Sequence, residues 1–136
     1  MEMTLHHAST FLLICSMTLS NFLPIGCVIA FLHDVSDIFV ATLKLTTALE
    51  GFDLISVANF LVTVTLWFYF RNICLSHLTW SIWQETEYLE PYTYFQPIIT
   101  ISAILLSFLV VLQWYWLWLF LKCFIFWKKT GTAEDL

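Results

Sequence analysis

From about Ile98 to Trp127 the chain is apolar except for one formal charge, Lys122, and that stretch decides what the molecule can become. A helix needs about 20 apolar residues to cross the hydrocarbon core of a bilayer. This run exceeds that length, opens behind Pro97 and closes on Lys128-Lys129. Lys122 lies close enough to the end to snorkel to the interface. Trp114, Tyr115, Trp116, Trp118 and Trp127 supply the amphipathic rings that settle at a membrane surface. Composition agrees with a lipid environment. Only 11% of the 136 residues are charged while 60% are hydrophobic, against about 25% charged in an average soluble domain. A water-soluble globule of this size would lack the polar groups to cover itself.

Three further stretches read as spans. One runs from about Ser56 to Cys74 with Arg71 near its end, and a shorter one covers Thr4 to Leu19. Another begins between Asn21 and Pro24 and continues to about Thr47; proline suits a first helical turn, where its missing N–H is not needed. The expectation is an all-α, polytopic transmembrane helix bundle with four spans, at about 4–19, 22–47, 56–74 and 98–127. They form one domain over 1–127, followed by a polar tail, 128–136. The link from His77 to Gln96, which carries Glu85, Glu87, Glu90 and Pro91, is expected on the surface. Lys128 and Lys129 predict a cytosolic C-terminus by the positive-inside rule. Four crossings then return the N-terminus to the cytosol and leave the acidic link lumenal. The net charge is −5 and no basic run could track a nucleic-acid backbone, so nucleic acid is not an expected partner. Cys15, Cys27, Cys74 and Cys123 form no CxxC pair and are expected to be small buried apolar side chains.

The second span carries residues that lipid does not tolerate: His33-Asp34-Val35-Ser36-Asp37, then Lys44. Each ionisable group at mid-bilayer costs about 2.5–3.5 kcal/mol on insertion scales, so such groups face a bundle interior or a watery cavity. At about 100° per residue, His33, Asp37 and Lys44 fall within roughly 40° of one another, with Asp34 and Ser36 flanking them. The helix reads as one wall of an enclosed site. A structural ion-pair network would explain the same stripe, and Lys44 alone would serve as an interfacial anchor. His6 and His7 point about 100° apart on a helix, with Thr10 one turn on. His6, His7, His33, Asp34 and Asp37 are ligand types, yet adjacent helical residues chelate poorly and H-E-x-x-H is absent, so no metal site is expected. Arg71 could pair with an acid, hold a phosphate or snorkel. His77 reads as an ordinary loop histidine.

Taken together, Leu5-His6-His7-Ala8-Ser9-Thr10, Ile25-Gly26 and Leu32-His33-Asp34-Val35-Ser36-Asp37 resemble, in order and spacing, the longevity-assurance motif of the ceramide synthases within the TLC-domain family. Lys44 stands where that family has a lysine, Phe70-Arg71 is similar to its aromatic or threonine followed by arginine, and Leu112-Gln113 through Leu121-Lys122 is similar to its last helix. The resemblance implies transfer of a fatty acyl group from acyl-CoA to the amine of a sphingoid base, in the endoplasmic reticulum membrane. It implies no bound cofactor, acyl-CoA acting as co-substrate and membrane lipids as surroundings. It makes His6, His7, His33, Asp34 and Asp37 candidate catalytic residues, His6 as nucleophile and His7 as its partner, with Asp34 or Asp37 relaying a proton and His33 as a second base. Ser36, Lys44 and Arg71 become candidate substrate-binding residues. Two departures stand out. Val40-Ala41 occupies the region where the family has a leucine and a glutamate, and Met1 lies almost on the paired histidines. The expectation is therefore an incomplete TLC domain: a fragment, a truncated product, or a subunit in a homo- or hetero-oligomer whose first helices come from another chain. A non-catalytic membrane subunit or scaffold built from these helices is the alternative.

Overall fold

The computed structural model describes residues 2–50, 54–88 and 96–130, with side chains over 4–48, 54–86 and 96–126. Every element there is helical: α1 (Glu2–Leu19), α2 (Leu23–Glu50), α3 (Leu54–Trp67), a π segment (Phe68–Cys74), α4 (Leu75–Tyr88) and α5 (Gln96–Thr130). This is the expected all-α membrane bundle. Three helical stretches are long and apolar enough to cross a bilayer: Leu23–Ala48, Leu54–Thr86 and Gln96–Phe126. The 18-residue α1 is not among them; it packs along α5 and α2.

The α1–α2 corner is closed by its backbone. Asn21 takes φ 60°, the left-handed conformation that asparagine tolerates better than other side chains bearing a Cβ. Its N–H bonds to the Thr18 carbonyl at 3.2 Å, and the Phe22 N–H reaches back to Met17 at 2.9 Å. These paired bonds satisfy the carbonyls that a helix end leaves free. Three residues on, Gly26 sits where an added Cβ would rest 3.5 Å from that of Met17, an ordinary packing distance between neighbouring helices.

The third span corrects the sequence reading. The helix does not stop at Cys74 but runs on through α4 to Tyr88, so much of the expected surface link, His77 included, is helical. His77 and Glu85 are exposed on that helix, and residues 89–95, with Glu90, lie outside the described residues. Fading hydrophobicity past Cys74 suggested an end, yet nothing between Leu75 and Tyr88 breaks a helix. Its buried positions explain the π segment. Ser56, Phe60, Thr63, Trp67 and Arg71 follow one another at helical spacing, and so do Asn72, Leu75, Thr79 and Ile82. The two series meet at adjacent residues. One residue too many for a regular α-helix is absorbed by wider turns, and both Arg71 and Asn72 face inward.

α5 is the central element, packed against α1 on one side and α4 on another. Ala103, Leu106, Leu109 and Gln113 are fully buried along it. Around the first three gather Leu13, Met17, Ile29, Leu32, Leu75 and Ile82. Lipid is as apolar as this core, so helix association in a membrane draws on close packing and hydrogen bonds rather than the hydrophobic effect. Such bonds are present. Ser16 and Ser102 meet at 2.8 Å between α1 and α5, the Trp83 indole donates to Ser107 at 2.9 Å, and Thr63 donates to the Phe39 carbonyl at 3.3 Å. Phe11, Phe31, Leu54 and Val111 stay exposed on the outside, a surface suited to acyl chains. The cysteines are all free, but they depart from the expectation of burial: Cys27 is exposed and the others are half-buried, because an apolar side chain facing lipid needs no core.

Candidate functional site

Of the stripe on α2 only His33 is buried; Asp37 and Lys44 are exposed at the cavities beside it. His33 and Ser36 are buried, while Asp34 and Asp37 are exposed. His33 Nδ1 lies 2.8 Å from the Ile29 carbonyl one turn back, which holds the ring against its own helix. Ser36 donates to the His33 carbonyl at 2.9 Å.

Arg71 crosses from the π segment and gathers this cluster. At 2% exposure it is among the most buried side chains described, so it does not snorkel. Its Nε donates to the Ser36 hydroxyl at 2.5 Å and its Nη2 to the His33 carbonyl at 3.0 Å. The same Nη2 forms an ion pair with the Asp37 carboxylate. Nη1 reaches the Gln113 side-chain oxygen at 3.4 Å. The guanidinium carbon stands 4.1 Å over the Trp67 ring, a cation–π contact. A buried cation is stable only when paired and hydrogen-bonded, and here all three guanidinium nitrogens donate.

α1 brings the paired histidines to the same place. The His6 ring centroid lies 5.6 Å from that of His33, 5.5 Å from His7 and 5.1 Å from Trp116. His6 is buried and its Nδ1 has no hydrogen-bond partner among the described residues, whereas His7 is exposed. Thr10 donates to the His6 carbonyl at 2.9 Å, so it braces the helix rather than either imidazole.

Two adjoining cavities open here. The larger, about 430 Å³, is bordered by His6, His7, Asp37 and Lys44, with Trp67 and Trp116 among its aromatic walls. A smaller one of about 250 Å³ shares His6, His7 and Asp37 and adds His33 and Asp34. The structure thus gathers His6, His7, His33, Asp34, Asp37, Lys44 and Arg71 around two cavities that share His6, His7 and Asp37, with Ser36 bonded to Arg71. Asp37 pairs with Arg71, the pairing with an acid that the sequence left open for the arginine. Val40 and Ala41 also border the larger cavity. Among the described residues, no three His, Cys, Asp or Glu side chains converge as a metal-binding group.

Trp67, Trp116 and Gln113 belong to the site, though none stood out in the sequence as a site residue. Trp116 reads as an interfacial aromatic, and Trp67 carries no distinguishing mark in an aromatic-rich chain. A glutamine in mid-span was the available signal for Gln113, since an amide in lipid must find partners.

An imidazole-lined cavity enclosed by apolar helices, with its one buried guanidinium held inside the bundle, defines a multi-pass integral membrane protein with an internal polar centre. The chain belongs to the TLC-domain family, whose model matches residues 1–122. No curated protein and no solved structure matches it. Membership fits a membrane lipid-related role, because that family includes ceramide synthases.

Proposed function

We propose that the chain carries the acyl-transfer centre of a sphingoid-base N-acyltransferase, which uses acyl-CoA to make a ceramide or dihydroceramide at the endoplasmic reticulum membrane. The observation that supports it is His6 beside His7 on the wall of a cavity of about 430 Å³ that Asp37, Lys44 and the buried Arg71 also line. Neutral imidazole is a nucleophile near neutral pH. A ring nitrogen of His6 attacks the thioester carbonyl carbon. The carbon–sulfur bond breaks, the CoA thiolate leaves and takes up a proton, and an acyl-imidazole remains. The sphingoid amine then attacks that carbonyl and the carbon–nitrogen bond to His6 breaks; His7, with Asp34 as relay, takes the amine proton and returns it to the departing His6 nitrogen, so both imidazoles end neutral. Asp37 holds Arg71 neutralised in place. Lys44, exposed at the cavity, offers a cation to CoA phosphates, and Ser36 acts through Arg71.

The test is turnover by the full chain in liposomes given acyl-CoA and sphinganine. His6→Ala is expected to lower ceramide formation by at least about 100-fold, the usual worth of a positioned acid–base or nucleophilic group, and to abolish an acyl adduct found on His6 by mass spectrometry. Undiminished turnover in both His6→Ala and His7→Ala would sink the assignment. A second reading, a non-catalytic TLC-derived subunit of a larger complex, draws support from Val40 and Ala41 lining the cavity in the region where the resembled enzymes carry a glutamate. A wild-type chain that forms neither adduct nor ceramide, yet co-purifies stoichiometrically with another membrane chain, would favour it.

A further inference from the structure

Gln113 lies fully buried on α5 between a group that can only donate and a group that can do either. Its side-chain oxygen is 3.4 Å from Arg71 Nη1, and its side-chain nitrogen is 3.3 Å from His33 Nε2. Arginine has no acceptor, so the amide must turn its oxygen toward Arg71 and its NH2 toward the imidazole. His33 Nε2 must then receive that hydrogen with its lone pair. At the far side of the ring Nδ1 faces the Ile29 carbonyl at 2.8 Å, a group that can only accept, so Nδ1 carries the proton. With Arg71 at one end and a carbonyl at the other, every hydrogen in the chain has a single direction.

We propose that Gln113 is a positioning residue that fixes His33 as the Nδ1–H tautomer with its Nε2 lone pair occupied, so that His33 offers no base to the cavity. The tautomer follows from the hydrogen-bond chain alone. Its consequence, that His6 and His7 are the imidazoles free for proton transfer, rests on the acyl-transfer reading. Both ring nitrogens of His33 are engaged, while His6 Nδ1 is left without a partner. The charged or titratable groups facing His33 are Arg71 from the π segment and His6 from α1, with Asp34 and Asp37 on its own helix. A second hydrogen on Nε2 would meet the Gln113 NH2 head-on. The same chain explains why this glutamine sits in mid-span: no apolar side chain could satisfy both neighbours.

The experiment is nitrogen NMR on the full chain in bilayers with ring-labelled histidine, the His33 resonances being assigned by their loss in His33→Asn. His33 is expected as a neutral ring with its proton on Nδ1. In Gln113→Glu the carboxylate accepts from both sides, so Nε2 must bring a proton and the Nε2 resonance moves to the protonated position. In Gln113→Leu the Ile29 carbonyl still holds the proton on Nδ1, but the Nε2 lone pair is released and the Nε2 resonance moves toward that of an acceptor without a hydrogen bond. A wild-type His33 protonated on Nε2 would overturn the proposal without recourse to any variant. So would an unmoved Nε2 signal in a folded Gln113→Glu protein. Absence of ceramide formation alongside the expected tautomer would count against the enzymatic reading and leave this one standing.

Discussion

Arg71 donates to Ser36, to the His33 carbonyl, to Asp37 and to Gln113, and its removal takes a donor from all four at once. Asp37 is placed differently. Its side chain is 62% exposed, toward the cavities, so it keeps access to water when the ion pair is broken. The two halves of this ion pair are therefore unequal. Arg71→Leu is expected to cost about 3 kcal/mol or more, the scale for stranding buried polar partners. Asp37→Asn keeps an oxygen for the guanidinium and is expected to cost about 1 kcal/mol. Unfolding of both variants in mixed micelles measures the difference, and equal losses would show that the exposed carboxylate is what holds Arg71. Ionisable residues were legible in the sequence because lipid makes each of them expensive: His33, Asp37 and Lys44 declared a face before any helix was placed. The partners of Arg71 were not legible, since its choice among pairing, phosphate binding and snorkelling depends on which helix lies opposite.

Among the elements, the π segment carries the information that the sequence concealed. In a soluble helix an apolar stripe marks the buried face, but here lipid-facing Leu61, Val62 and Phe68 are as apolar as buried Phe60 and Leu75. Periodicity is erased, and with it the phase break at Arg71 and Asn72. Helix existence survived this loss, because length and apolarity suffice for it. The extension through Tyr88 did not, because amphipathic α4 looks like a surface link when its partner α5 is unknown. The extra residue predicts an asymmetry. Deleting Asn72 turns the π segment into regular α-helix and leaves the series ending at Arg71 in phase with that running through Leu75, Thr79 and Ile82. It also removes two buried polar atoms that have no partner among the described residues. The shortened protein is expected to fold with unchanged or raised thermal stability. Deleting exposed Thr65 instead turns Trp67 and Arg71 by about 100° against Ser56, Phe60 and Thr63, which takes the guanidinium from its partners, and is expected to prevent folding. Circular dichroism and size exclusion in detergent distinguish them, and comparable damage from both deletions would mean that the wide turns are not a one-residue insertion.

For the whole molecule, the question is which side of the membrane the polar centre opens toward. The stretch from Leu54 to Thr86 contains 33 residues, about 50 Å of helix, against a hydrocarbon core of about 30 Å. Its two ends must therefore emerge on opposite sides. Phe60, near the first end, stacks on Phe124 late in α5, and the larger cavity lies on that half between Lys44, Trp116 and Phe120. Glu85 borders an apolar cavity of about 280 Å³ at the other end, with Met17, Ile25 and Ile99. The imidazole cavity and the end of α5 thus share a side, and under the proposal that Lys128-Lys129 keeps the C-terminus cytosolic that side is expected to be the cytosol. Acyl-CoA, too highly charged to cross a bilayer, would meet the histidines without being transported. With the four native cysteines changed to serine, Lys44→Cys in sealed microsomes is expected to react with a membrane-impermeant maleimide added outside. Glu85→Cys should react only after permeabilisation. The reverse pattern would put the cavity in the lumen, where a cytosolic thioester could not reach it, and an acyl-CoA-dependent reaction at His6 would lose its substrate.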